Sequence, residues 1–222
     1  MKRIVLGALM IAACGGSAHT ALDQNRAGTG TATLLVTADV TVTNSSSPTT
    51  NLVVDVSDGL GAKVSGATVT IQNPGLGGDV ALTEATAGSG HYTSSKTSLP
   101  SGDFALSVVR GTDRVVGVSV GNPGTHAINA PLVNTTVAAN PQPLAVSWTT
   151  PTAAKSVTVT TRNYSVQAPD TGSYSIPPAN NPARTGQRVV LKRSNEVEIA
   201  GGLSGSILRV AVTTTVDPFT VL

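Results

Sequence analysis

Charge is scarce in this chain. Lys, Arg, Asp and Glu together make 12% of its 222 residues, about half the share of an average soluble domain. Aromatics are scarcer still at 3%, namely Tyr92, Phe104, Trp148, Tyr164, Tyr174 and Phe219, which argues against the flat stacking platforms of many sugar-binding modules. There is one cysteine, Cys14; no disulfide can staple the fold, so stability must come from packed cores. No apolar run approaches the roughly 20 residues of a membrane-spanning helix. Beyond the first residues no stretch has the 3.6-residue period of an amphipathic helix.

What is abundant points one way. Thr and Val number 31 and 29, and β-branched side chains lose rotamer freedom in helices but pack well on pleated surfaces. With 23 Gly and 13 Pro as punctuation, the composition reads as all-β with many turns.

The first residues read as a targeting segment. Lys2 and Arg3 are followed by an apolar stretch, Ile4 to Ala13, too short to span a bilayer and laid out like a secretory signal. It ends Ile11-Ala12-Ala13-Cys14-Gly15. This resembles the lipobox of bacterial lipoproteins, an aliphatic residue and two small ones before the cysteine. The resemblance implies a signal over 1–13, lipid on Cys14, and the membrane as a partner through that lipid. In Gram-negative lipoproteins an Asp after the cysteine commonly retains the protein at the inner membrane. Gly15 stands there instead, so the implied address is the outer membrane. Loss of the signal takes fourteen basic residues to twelve, equal to the twelve acidic ones. No basic surplus is left to neutralise phosphates, and nucleic acid is not an expected partner.

Residues 15–30 are small and polar without period and read as a flexible tether, so 14–30 is taken as the lipidated linker. Strands follow. From Thr33 to Val42 the residues alternate, with Leu34, Val36, Ala38, Val40 and Val42 on one face. Further strands are expected at Leu52–Val56, Ala67–Ile71, Val80–Thr83, His91–Ser94, Phe104–Arg110 and Arg114–Val120. Turn signals such as Asp58-Gly59 and Gly111-Thr112-Asp113 separate them. The pattern restarts near Ala130-Pro131. It then gives Leu132–Val137, Leu144–Trp148, Val157–Thr161, Tyr164–Val166, Tyr174–Ile176 and Ile207–Val216, with a hairpin of Arg188–Lys192 and Glu196–Ile199 reversing at Arg193-Ser194-Asn195. Spacing near ten residues per strand suits tandem antiparallel β-sandwiches over 31–131 and 132–222. Within residues 14–131 five basic side chains face eight acidic ones, and within 132–222 seven face four, an asymmetry able to favour contact between the halves or with an anionic polysaccharide.

Two stretches carry a family likeness. Gly61-Ala62-Lys63-Val64-Ser65-Gly66-Ala67-Thr68-Val69-Thr70-Ile71, then Gly90-His91-Tyr92, then Leu99-Pro100-Ser101-Gly102-Asp103-Phe104-Ala105-Leu106 resemble the carboxypeptidase regulatory-like, transthyretin-type β-sandwich. Pro143-Leu144-Ala145-Val146-Ser147-Trp148-Thr149-Thr150-Pro151 resembles the strand that carries the core tryptophan of fibronectin type III domains, and Asp170–Pro177 the turn and strand of bacterial Ig-like repeats. Families of this kind are usually non-catalytic modules of surface or secreted proteins.

The search for chemistry returns little. His19 lies in the tether, and His91 and His126 have no neighbouring Cys and no Asp or Glu at metal-ligand spacing. No Gly-x-Ser-x-Gly elbow occurs, and Gly202-Leu203-Ser204-Gly205-Ser206 reads as a turn. Asp170-Thr171-Gly172 lacks the second carboxylate motif that acid proteolysis needs. Asp55, Asp58 and Asp103 lack the ordered spacing of a calcium loop. The expectation is therefore a non-enzymatic envelope lipoprotein with a structural, adhesive or protein-interaction role, without cofactor or metal, and with Cys14 as its one modified residue. Its partner would be an envelope protein or polysaccharide, and the alternative is an accessory glycan-binding module. Trp148 is expected in a core, beside Leu144 and Val146.

Overall fold

The computed structural model describes residues 25–138 and 141–222. The signal expected over 1–13, the lipidation expected at Cys14, the part of the expected tether up to 24, and His19 lie outside the described residues. The fold is all-β, its sheets packed as sandwiches, and two three-residue 3-10 turns are the helical elements among the described residues. The strands are β1 (Arg26–Gly30), β2 (Leu34–Asn44), β3 (Thr49–Asp58), β4 (Thr68–Asn73), β5 (Gly78–Glu84), β6 (His91–Lys96), β7 (Phe104–Arg110) and β8 (Asp113–Val120). They continue as β9 (Ile128–Ala130), β10 (Thr136–Val137), β11 (Leu144–Trp148), β12 (Ser156–Thr161), β13 (Ser165–Ala168), β14 (Ser173–Ile176), β15 (Arg184–Glu198) and β16 (Ile207–Val221).

One long sheet runs β1-β8-β7-β4-β5-β6-β3-β2-β16-β15-β12-β13. Its first part folds over through β5, which pairs with β4 on one side and β6 on the other. That fold encloses the first core, where Val36, Val40, Leu52, Val54, Ile71, Phe104, Leu106 and Val118 are buried. The second core lies under the other end of the same sheet. There β12, β15 and β16 face a three-stranded sheet of order β14-β11-β9, and Val146, Trp148, Val159, Ile176, Leu191 and Phe219 are buried.

The sequence boundary at 131/132 does not separate these cores. The sequence pattern predicts a separate module over 132–222, yet Ile199, Leu208, Val210 and Val212 are buried in the first core. The reason is the length of the β15–β16 ribbon, paired from Arg184↔Val221 to Glu198↔Ile207. Fifteen residues of strand reach about 50 Å, far enough to serve both sandwiches. The inner face of β15 and the residue just past it reads Val189, Leu191, then Arg193, Asn195, then Val197, Ile199: apolar, polar, apolar. The first pair belongs to the second core and the last to the first. A β-bulge at Asp217-Pro218 keeps the inner face apolar to the end. Between the pairs Val189↔Val216 and Gln187↔Phe219, two residues of β16, Asp217 and Pro218, oppose one of β15, Arg188, so the core-facing parity changes from even to odd.

Other differences have local causes. The reversal expected at Arg193-Ser194-Asn195 is absent, and β15 passes straight through it; Arg193 and Asn195 are polar because they are buried in a polar joint, and the reversal comes at 199–206. Residues 26–30, read as tether, form β1 and pair with β8. Side-chain pattern could not reveal this strand, because backbone bonds and one close crossing hold it. A Cβ on Gly30 would lie 2.2 Å from the Gly201 carbonyl oxygen, and one on Gly201 would lie 2.0 Å from the Thr29 carbonyl carbon. The strand expected at Leu132–Val137 shrinks to β10, with Leu132 and Val133 exposed in the turn before it.

Candidate functional site

The densest polar chemistry among the described residues lies where the two cores meet. Arg193 is completely buried there, its position fixed by the β15 ladder. Its Nε donates to both Asp170 carboxylate oxygens at 3.1 and 3.2 Å, and its Nη1 donates to the Pro123 carbonyl at 2.6 Å. Nη2 donates to the Thr152 carbonyl and to Asp170. Asp170 also accepts from the Trp148 indole at 2.9 Å and from the Ala154 N–H at 3.1 Å. Burial by itself would raise the Asp170 carboxyl, but bonds from Arg193, Trp148 and Ala154 outweigh it and hold the group below the usual carboxylate range.

Two residues along, Asn195 donates to the Gly121 carbonyl at 2.9 Å and accepts from the Lys155 N–H at 2.7 Å. From the other strands, the Asn44 amide and the Thr214 hydroxyl both donate to the His126 carbonyl, at 2.8 and 3.0 Å. This set binds the linker 121–126, which leaves the first sandwich, to the end of β2, to the shared β15–β16 ribbon and to loops of the second sandwich. A cleft of about 300 Å³ opens beside it, between Pro100, Asp103 and Asn122 on one wall and Pro151 and Thr152 on the other. The arrangement is a mortise between modules: it fixes their relative placement by charge-assisted bonds that need every partner in position.

Of the residues weighed from sequence, Trp148, Asp170 and His126 meet at this joint, and Asp55, Asp58 and His91 lie elsewhere. Trp148 is buried beside Leu144 and Val146, as its strand pattern required. Asp170-Thr171-Gly172 does lie in a turn, but the role of Asp170 as counter-ion to Arg193 had no sequence signal, because the two are 23 residues apart. Asp58 caps its own turn, accepting from the N–H groups of Leu60 and Ala62. Asp55 pairs instead with His91, Oδ1 to Nδ1 at 2.9 Å on the open face of the sheet, both groups about two-fifths exposed. An Asp-held imidazole is by itself only one part of a hydrolytic triad. No group of three metal-ligating side chains occurs among the described residues. Tyr92, from the Gly90-His91-Tyr92 motif, donates to the Val64 carbonyl at 2.8 Å and accepts from the Ala67 N–H at 2.9 Å, locking the entry to β4.

On the outer face the long sheet carries a second feature. A polar groove of about 360 Å³ crosses from the first module to the second, lined among others by Asp39, Thr41, Ser156, Thr158, Gln167 and Lys192. Arg209 stands over it, 3.6 Å from Asp39 and 3.7 Å from Glu196. Its contact with Asp39 joins the basic and the acidic halves of the chain.

No family model matches the chain, and no curated protein matches it. Among solved structures it is similar to the adhesin InvE of Yersinia pseudotuberculosis, at 16% identity and a TM-score of 0.28, over 82% of this chain. The chain spans 60% of the length of that structure.

Proposed function

We propose that the chain is a non-enzymatic, lipid-anchored envelope protein whose tandem sandwiches carry mechanical load, in a structural or adhesive role. The observation that carries this reading is the parallel ladder between β2 and β16, eight consecutive pairs from Thr37↔Ile207 to Asn44↔Thr214. Among the described strands β2 is the first long one and β16 the last in sequence. Pull the N-terminal end of β2 and the C-terminal end of β16 apart, and parallel strands slide along each other. Every bond of the ladder is then loaded together, whereas a hairpin peels one bond at a time. The start of β2 is pinned as well: the Val36 N–H donates to the buried Ser206 hydroxyl at 3.0 Å, and the Leu203 N–H to the Leu34 carbonyl at 2.8 Å.

Strand β1 precedes that clamp. It begins near Gly121, whose N–H donates to the Asn25 side chain at 2.9 Å, and runs back along β8 to Val115. Force on the tether peels β1 first and reaches the β2–β16 clamp second. Single-molecule stretching between residues 25 and 222 therefore gives a weak release followed by a strong rupture. Stretching between residues 184 and 222, which unzips the β15–β16 hairpin, gives lower forces. Equal forces in the two directions refute the load-bearing reading. Anchoring has its own test: a fatty-acid analogue labels the wild type and not Cys14→Ala, and equal labelling of both refutes it. The outer-membrane address supported by Gly15 fails if fractionation finds the protein only with inner-membrane markers.

The polar groove across β2, β16, β15 and β12 favours a second reading, an accessory glycan-binding module that grips hydroxyls without aromatic stacking. Retardation in gels containing envelope polysaccharide, lost in Lys192→Glu, supports it; unchanged migration of the wild type refutes it.

A further inference from the structure

We propose that the joint between the two sandwiches is an acid-sensitive latch whose trigger is His126. The residue sits in the linker that crosses from the first core to the second, and it is 3% exposed. Its carbonyl is held by Asn44 of β2 and Thr214 of β16. Its ring is held weakly: Nδ1 and Nε2 are both buried without a well-formed hydrogen bond, and the only backbone groups among the described residues that act on them are those of Leu191 and Gly124. A buried polar group left unsatisfied costs free energy, and giving it a charge costs much more. An imidazole in this position is tolerated only as the neutral ring.

Two charged groups act on that ring, Arg193 from β15 and Asp170 from the loop after β13; the backbone of Leu191 and Gly124 favours a proton on it but is outweighed by burial, and β2 and β16 offer the neutral Asn44 and Thr214. The Asp170 carboxylate is already engaged by Arg193, Trp148 and Ala154, so it has little left to offer an imidazolium. Burial, and after it the Arg193 charge, push the His126 pKa below its ordinary value. The sign follows from linkage. With the joint closed the ring stays neutral; with the joint open it meets water and binds a proton near pH 6.5. Closure is therefore at full strength above pH 6.5 and weakens as the pH falls from there toward the lower closed-state value. Between pH 7.5 and 5.5 one such group raises the opening equilibrium by up to about tenfold. Opening detaches the linker and the 149–154 loop from Arg193 and Asn195, while each core keeps its own apolar packing. The linker and the 149–154 loop are thus fixed near neutrality and loosened in acid, while the continuous β15–β16 ribbon still joins the two cores.

The test uses the full chain carrying Cys14→Ala, followed at pH 7.5 and 5.5 by hydrogen exchange corrected for its intrinsic pH dependence. Peptides covering 121–130 and 149–155 gain exchange by several-fold up to about tenfold in acid, while peptides from β2 and β3 do not change. His126→Leu, which keeps an apolar ring-sized group and cannot be protonated, removes the acid response. Should that variant not fold, the wild type still decides: its three imidazole resonances separate in a proton NMR titration, and His126 must titrate below the value of a free histidine. A His126 that titrates at or above about 6.5 overturns the proposal. So does a joint whose protection is the same at both pH values, or an acid response that persists in His126→Leu.

Discussion

Replacing Arg193 by Met leaves the length of the side chain and removes its charge, which isolates what the guanidinium does at the joint. Arg193 is wholly buried and its partner Asp170 is 4% exposed at the side chain. Without Arg193 the Asp170 carboxylate keeps only Trp148 and Ala154, and the carbonyls of Pro123 and Thr152 lose a donor. Removing one partner of a buried pair typically costs about 3–5 kcal/mol, because the other charge stays buried without compensation. For a chain of this size each kcal/mol lowers the midpoint by about 2–4 °C, so Arg193→Met should melt about 6–20 °C below the wild type. Differential scanning calorimetry measures it. A double-mutant cycle with Asp170→Asn should show coupling, the double variant losing about 1–3 kcal/mol less than the sum of the single losses. The acid limb adds a sign. Asp170 is held below the usual carboxylate range, so its contribution is present above about pH 4 and is lost as the pH falls through the lower folded value. The gap between wild type and Asp170→Asn should therefore narrow in strong acid. A loss under about 1 kcal/mol for Arg193→Met, or strict additivity in the cycle, refutes the view that the pair locks the joint.

Residues 31–131 expressed alone should not fold cooperatively, because β2 loses its parallel partner and the first core loses Ile199, Leu208, Val210 and Val212; a sharp thermal transition in that fragment contradicts the shared-ribbon architecture. Gly201→Val should displace β1 from the hairpin tip, since any Cβ there meets the Thr29 backbone, at a cost of about 1–3 kcal/mol; exchange protection retained over 26–30 in the variant refutes the crossing. Trp148→Phe keeps an aromatic ring but drops the bond to Asp170, and a hydrogen bond to a charged group is worth about 1.5–3 kcal/mol; a smaller loss on chemical denaturation removes that bond from the account. As the single tryptophan of the chain, Trp148 should also emit at short wavelength and resist iodide quenching.

By itself the sequence determined the class of the fold and most of its strands. Alternation in Leu34–Val42 places five side chains on one face, and the structure buries all five. Gly and Asp at the reversals marked where strands end, because turn backbone is a local property. The core position of Trp148 was legible for the same reason: a period of two names the buried face from neighbouring residues alone. What could not be read was anything decided by partners distant in sequence. Arg193 and Asn195 looked like a turn because polarity in a strand signals exposure unless another part of the chain satisfies it, and here Asp170, Gly121 and Thr152 do so. Strand β1 has no apolar rhythm and is held by backbone bonds to Val115–Ser119 and by the close pass of Gly30 over Gly201. The sharing of β16 between two cores was invisible too, since an apolar face reads the same whether it lines one core or two. Only the tertiary structure decides which core a residue enters, because burial belongs to what packs against a strand and not to the strand.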